Sequence, residues 1–127
     1  MERDNDPEER RVYSIVGGFY EVYKELSHGL LEHLYVLALD RELTSRGHHA
    51  QREAPVLVYY KGEPLGWQRI DLLVDECIVV EVKSTRELHP SATRQTYNYL
   101  HAARLENGLL LHFGLEPRWY RVIGRGD

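Results

Sequence analysis

Two apolar runs facing each other across a short acidic turn constrain this chain most. The first is Trp67–Gln68–Arg69–Ile70–Asp71–Leu72–Leu73–Val74, the turn holds Asp75–Glu76, and the second is Cys77–Ile78–Val79–Val80–Glu81–Val82–Lys83–Ser84. Both read as strands of one hairpin, yet charge stands where a buried strand carries Val or Leu. With the turn centred on Glu76, Asp71 and Glu81 are opposite one another, and Leu73 and Val79 form the next pair on that face. Lys83 follows Glu81 on the same face by the two-residue strand period. Opposed side chains sit roughly 5 Å apart at Cβ, where like charges destabilise a sheet. A bound divalent cation is the most economical reason to hold two carboxylates there, with the lysine beside it to act on water.

The elements on either side follow from periodicity. Val12, Ile15, Val16, Phe19, Val22, Tyr23 and Leu26 recur at helical spacing, and Pro7–Glu8–Glu9 suits a first turn. Gly17–Gly18 weakens that helix unless it serves close packing. Ser27–His28–Gly29 breaks it. A second helix starts from Ser27 or His28, is apolar through Leu30, Leu31, Leu34, Tyr35, Ala38 and Leu43, and closes at Gly47. Strands are expected at Glu53–Tyr60 and Leu65–Val74, joined by the turn Lys61–Gly62–Glu63–Pro64, and the opening hairpin supplies a third. A helix from Pro90 to about Glu106 faces inward with Ala92, Tyr97, Leu100 and Ala103, and Asn107–Gly108 stops it. Leu109–Leu110–Leu111–His112–Phe113 reads as an interior strand, and Arg118 to Ile123 as an edge strand. The order α-α-β-β-β-α-β-β gives an α+β (α/β sandwich) fold, one mixed sheet flanked by helices.

At 127 residues, one domain over 1–127 is expected, with a loose N-terminus at 1–7 and a loose tail at 124–127. Hydrophobic residues at 43% and charged residues at 28% argue against disorder. A net charge of −4 gives no global basic signature, so any nucleic-acid contact has to come from a local patch or bound metal. The single Cys77 makes no internal disulfide and reads as a small buried thiol in a strand. No apolar run approaches membrane-spanning length and no signal region opens the chain, so a cytoplasmic protein with no membrane partner follows by exclusion.

The candidate residues are weighed against plainer roles. Asp71 and Glu81 are hard oxygen ligands for Mg²⁺ or Mn²⁺, which lowers the pKa of bound water and neutralises charge on a phosphodiester. Lys83 is placed to orient or deprotonate that water; the plainer alternative is a Glu–x–Lys surface pair. Glu32 is either a third carboxylate brought over the sheet or an acid favoured by its helix dipole. Tyr35, one turn on, is more ordinary as a core residue. Gln95, spaced i, i+4 from Tyr99, either binds a phosphate, a base or Lys83 or is simply solvated. Arg69, Arg86, His89 and Arg94 make a local basic rim or ordinary surface charge. His48–His49 are adjacent rather than ligand-spaced, which speaks against zinc. No phosphate-cradling glycine loop and no Ser or Cys nucleophile signature stands out.

These residues also resemble a known family. Gly29–Leu30–Leu31–Glu32–His33–Leu34–Tyr35 matches the signature of the GxxExxY family of small bacterial proteins, which is placed in the PD-(D/E)XK nuclease superfamily. The likeness continues in order through Tyr60–Lys61–Gly62, the Asp71 strand, Val80–Glu81–Val82–Lys83, Gln95–x–x–x–Tyr99–Leu100 and Gly108–Leu109–Leu110–Leu111–His112–Phe113–Gly114. Ile70 stands where the superfamily's name has proline. The resemblance implies a restriction-endonuclease-like core of order α-β-β-β-α-β. It implies metal ligation by Asp71 and Glu81, with the Val82 carbonyl as a further ligand, and a catalytic role for Lys83. Glu32 becomes an auxiliary acid, catalytic or metal-holding, and Gln95 a supporting catalytic residue. The expected function is a Mg²⁺- or Mn²⁺-dependent nuclease acting on nucleic acid, DNA before RNA. The alternative is a non-catalytic binding or assembly module that keeps the fold. Self-association through the aromatic edge Arg118–Trp119–Tyr120–Arg121 would make a homodimer.

Overall fold

The structure, a computed structural model, describes residues 6–124. Its elements are α1 (Pro7–Leu26), α2 (Glu32–Ser45), β1 (Ala50–Tyr60), β2 (Glu63–Val74), β3 (Ile78–Lys83), α3 (Ser91–Ala103), β4 (Asn107–Phe113) and β5 (Pro117–Ile123). This is the expected α+β order. The five strands lie in sequence order, antiparallel except for β3 and β4, which run parallel. A parallel step needs a crossover, and α3 provides it.

Alternation along the strands builds two cores. Leu72, Val74, Val80, Val82, Leu109, Leu111 and Phe113 pack with α1 and α2. Leu73 and Val79, of opposite parity, pack with Tyr99 and Leu100 of α3. α1 begins where Asp6 caps the Glu8 N–H at 2.9 Å, with Pro7 in the first turn and Glu8 and Glu9 favoured by the dipole. Its Gly17–Gly18 pair serves close packing: a Cβ on Gly18 would stand 3.0 Å from Leu43 Cδ2 of α2. The loose ends expected at 1–7 and 124–127 fall mostly on residues outside the described ones.

Several boundaries differ from expectation: β1 begins at Ala50 rather than Glu53, and β2 at Glu63, within the expected turn Lys61–Pro64. α2 starts at Glu32, not at Ser27 or His28, because Ser27 takes a positive φ of 57° and Gly29 one of 99°, which a helix excludes. Asn107–Gly108 does not stop α3; those residues open β4. Arg104 ends the helix in the left-handed region, and the Leu105 N–H closes back on Leu100 O at 3.0 Å. Gly108 is small because α3 presses on it, with Leu100 Cδ1 and Thr96 Cγ2 each 3.1 Å from where a Cβ would be. Cys77 lies in the hairpin turn rather than the strand, half-buried, with its thiol pushed up by burial.

Candidate active site

The β2–β3 hairpin closes as its symmetry demands: Val74 pairs with Ile78, Leu73 with Val79 and Leu72 with Val80. Asp75 and Glu76 both take positive φ, which suits the twist of a tight hairpin. Beyond Leu72–Val80, side chains replace the backbone ladder. The Asp71 N–H donates to Glu81 Oε2 at 2.9 Å, and the Val82 N–H donates to Asp71 Oδ2 at 2.8 Å. One oxygen of each carboxylate is fixed this way. Among the described residues no donor reaches the other two, Asp71 Oδ1 and Glu81 Oε1.

Glu81 is only 3% exposed. Burial first, then the charge of Asp71, pushes its carboxyl up to about 8, against the bond from the Asp71 N–H, the charge of Lys83 and a further push from Glu32. Asp71 is also raised, chiefly by burial, while the Val82 N–H and Lys83 oppose. Two acids that resist joint ionisation and each keep one free oxygen are a donor set that fits a hard dication retaining several waters. Among the described residues Lys83 forms no ion pair within 4.0 Å, but its charge favours ionisation of Glu32, Asp71 and Glu81 alike.

Glu32 opens α2 and shares with Asp71 a cleft of about 300 Å³, lined also by His33, Arg52 and Glu53. Its carboxyl is raised by burial and by Asp71. Among the described residues no three acids, histidines or cysteines stand close enough to hold one ion, so Glu32 faces the pair across the cleft without closing a three-ligand group. Its position is set by Tyr35, which is fully buried and stacks on Phe113 at 4.1 Å. The Tyr35 hydroxyl donates to Ser27 O and accepts from the Leu30 N–H, tying down the loop in which Gly29 turns. An offset aromatic pair adds about 0.5–1.5 kcal/mol beyond its burial, so the ring stabilises as well as places this end of α2.

Gln95 points to Tyr99, its Nε2 donating to the hydroxyl at 3.4 Å, and the structure shows no bond from it to Lys83. Tyr99 itself is raised by burial and by the charges of Glu81 and Asp71, so its hydroxyl belongs with the site. His89 does not join a basic rim freely: its Nδ1 accepts the Ser91 N–H at 3.0 Å and caps α3. Arg69, Arg86 and Arg94 are exposed and form no ion pair among the described residues, whereas Arg11, Arg46, Arg52, Arg118 and Arg121 are each paired with a carboxylate.

Two residues had no sequence signal. Glu53 holds the place opposite Asp71 between the pairs Arg52–Leu72 and Ala54–Ile70, takes a left-handed φ of 50° in mid-strand, and raises Asp71 by its charge. In sequence it is one more exposed strand acid. His48 links Asp75 (Nδ1 to Oδ2, 2.7 Å) to Ser14 (Nε2 to Oγ, 2.8 Å), the order of a hydrolytic triad. Ser14 sits inside α1 with its N–H committed to the helix, so no oxyanion donors accompany it, and the chain of bonds pins the hairpin turn to α1.

Comparison with known proteins bears on the fold and the family. No curated protein matches the chain. A solved structure described as "Crystal structure of SSO0001" superposes with a TM-score of 0.57 at 20% identity, covering 72% of this chain and 48% of that one. The likeness is one of fold, and this chain spans about half the length of that protein. A family model described as the PD-(D/E)XK nuclease superfamily matches residues 9–122. With nearly the whole chain matched, this protein belongs to the PD-(D/E)XK nuclease superfamily.

Proposed function

We propose that this protein is a metal-dependent nuclease that hydrolyses phosphodiester bonds of nucleic acid, DNA in preference to RNA. One observation carries the reading: Asp71 and Glu81 are held face to face at the fork of β2 and β3, each with an oxygen left open. Asp71, Glu81 and the Val82 carbonyl would hold Mg²⁺ or Mn²⁺, with Glu32 holding its water from across the cleft. The ion supplies a water of lowered pKa and charge neutralisation at the phosphate. Lys83 orients the attacking water and stabilises charge developing on the phosphoryl oxygens. Tyr99 and Gln95 hold the α3 side of the site, and Arg86 and Arg94 meet the phosphate backbone. The segment Gly29–Tyr35 supports membership of the GxxExxY group of bacterial proteins within the superfamily, with a cytoplasmic setting. Among the described residues no helix is long and apolar enough to cross a membrane.

The test is incubation with linear, nicked and single-stranded DNA and with RNA, with and without Mn²⁺. Cleavage should need the ion and fall by about 10²–10⁴-fold in Asp71→Asn and in Lys83→Ala. Cleavage that persists in both variants defeats the assignment.

A second reading, a non-catalytic module keeping the fold, is favoured by the lack of a three-ligand group among the described residues. It expects calorimetry to show no Mn²⁺ binding that Asp71→Asn abolishes. Trp119 and Tyr120, exposed on the edge strand β5, are the surface proposed for a homodimer, which light scattering on the eluting protein decides.

A further inference from the structure

The β1–β2 ribbon runs on past the rest of the sheet. β3 pairs with β2 only at Leu72–Val74, while β1 stays paired with β2 out to Tyr60–Glu63. Between this arm and α3 lies a groove of about 820 Å³, far larger than the cleft at Glu32. Tyr59, Leu65 and Trp67 line it from the arm, and Asn98, His101 and Arg104 from α3. Trp67 is 68% exposed and Tyr59 57%, so two large rings face solvent where a monomer gains nothing from them.

The charge around these rings decides what fits. Acids outnumber Lys and Arg by 20 to 16 in the chain, yet among the described residues no carboxylate lines this groove. Arg104 is exposed and has no ion pair among the described residues. By contrast, the groove between α1 and α2 sets Glu21, Glu25 and Glu42 around Arg41. An unpaired cation among exposed rings, without acids, suits stacked bases on a phosphate chain. Both walls also lead to the acids. On β2, Trp67 precedes Asp71 by four residues, roughly 13 Å at the strand rise. On α3, Asn98 is the neighbour of Tyr99. At about 3.4 Å per stacked nucleotide, some four nucleotides span that distance.

We infer that the groove between the β1–β2 arm and α3 binds a single-stranded segment of nucleic acid, its bases stacked on Trp67 and Tyr59 and its phosphates met by Arg104, leading the strand to Asp71 and Glu81. The inference rests on the nuclease reading for its direction but is tested without cleavage. Trp119→Phe leaves Trp67 as the sole indole. In EDTA, a short oligothymidylate should quench its fluorescence at least about tenfold more tightly than a blunt duplex of equal length. Trp67→Leu and Tyr59→Leu, both at exposed positions, should each weaken binding of a labelled oligothymidylate by about tenfold. Unchanged fluorescence in a protein that cleaves duplex with Mn²⁺ overturns the groove and leaves the nuclease reading standing. Quenching in a protein that cleaves nothing supports the groove and removes that reading. Equal affinity for duplex with no effect of Trp67→Leu overturns the inference, as does a dimer that Trp67→Leu converts to monomer in light scattering.

Discussion

Glu81 is where this molecule resists its own ionisation. Its carboxyl titrates near 8 in the fold and near 4.5 in an unfolded chain, so the folded state binds the extra proton between those values. Stability therefore falls as pH rises from about 4.5 through 8, the reverse of a carboxylate held down by a salt bridge. Metal-free Glu81→Gln should flatten that slope and melt at least about 4 °C higher than the parent at pH 8, read by thermal unfolding. On the proposed function Mn²⁺ would compete with the same proton, so its affinity for the parent should rise across this window, read by calorimetry. Asp75 behaves oppositely: burial opposes its charge, but the bonds from His48 and the His49 N–H, with the charges of His48 and Arg11, hold it below its usual range. The Asp71–Glu81 opposition was legible because strand parity and a turn centre fix it. Tyr99 looked like a helix partner of Gln95 because its approach to the acids depends on the crossover, which no local pattern records.

At the scale of elements, the β1–β2 ribbon changes sides at Glu53 and Asp71. Ala50, Leu72 and Val74 pack toward α1 and α2, while Ala54, Val56 and Ile70, of the same parity, pack toward α3. The left-handed Glu53 is the point of that turn-over, and it frees the arm that walls the groove. Such a φ costs a non-glycine residue about 1–3 kcal/mol and is worst for a β-branched one. Glu53→Gly should then hold or raise the melting temperature, while Glu53→Val lowers it by several degrees. Equal melting of the two variants removes the strain argument. Element order and the buried β4 were legible from run length and period. The start of α2 and the end of α3 were not, since Gly108 reads as a stop signal in sequence and acts here as a seat for Leu100 and Thr96.

Over the whole molecule, a net charge of −4 conceals an uneven distribution. Paired arginines brace α1, α2 and β5, while among the described residues Arg69, Arg86, Arg94 and Arg104, on or beside β2 and α3, have no ion pair, as Arg41 on α2 has none. Binding of single-stranded nucleic acid should weaken with salt, and Arg86→Ala and Arg94→Ala should each lower the log–log slope by about 0.7 if they meet phosphates. A slope indifferent to both would place the backbone elsewhere. Composition alone could not show this, because it counts charges without saying which ones already have partners.

The parallel seam between β3 and β4 also has a history in time. β1, β2 and β3 close through short local turns, but β4 joins β3 only after the chain from Lys83 to Asn107, α3 included, has been gathered in. Entropy favours the local meander first and the long closure last. The hairpin bearing Asp71 and Glu81 is thus expected early, and Leu109–Phe113, apolar on both faces, late. Refolding kinetics should give Leu72→Ala a high φ-value and Leu111→Ala a low one. A protein of this plan assembles its acids before it can cover them, and its most aggregation-prone strand is the last to find shelter.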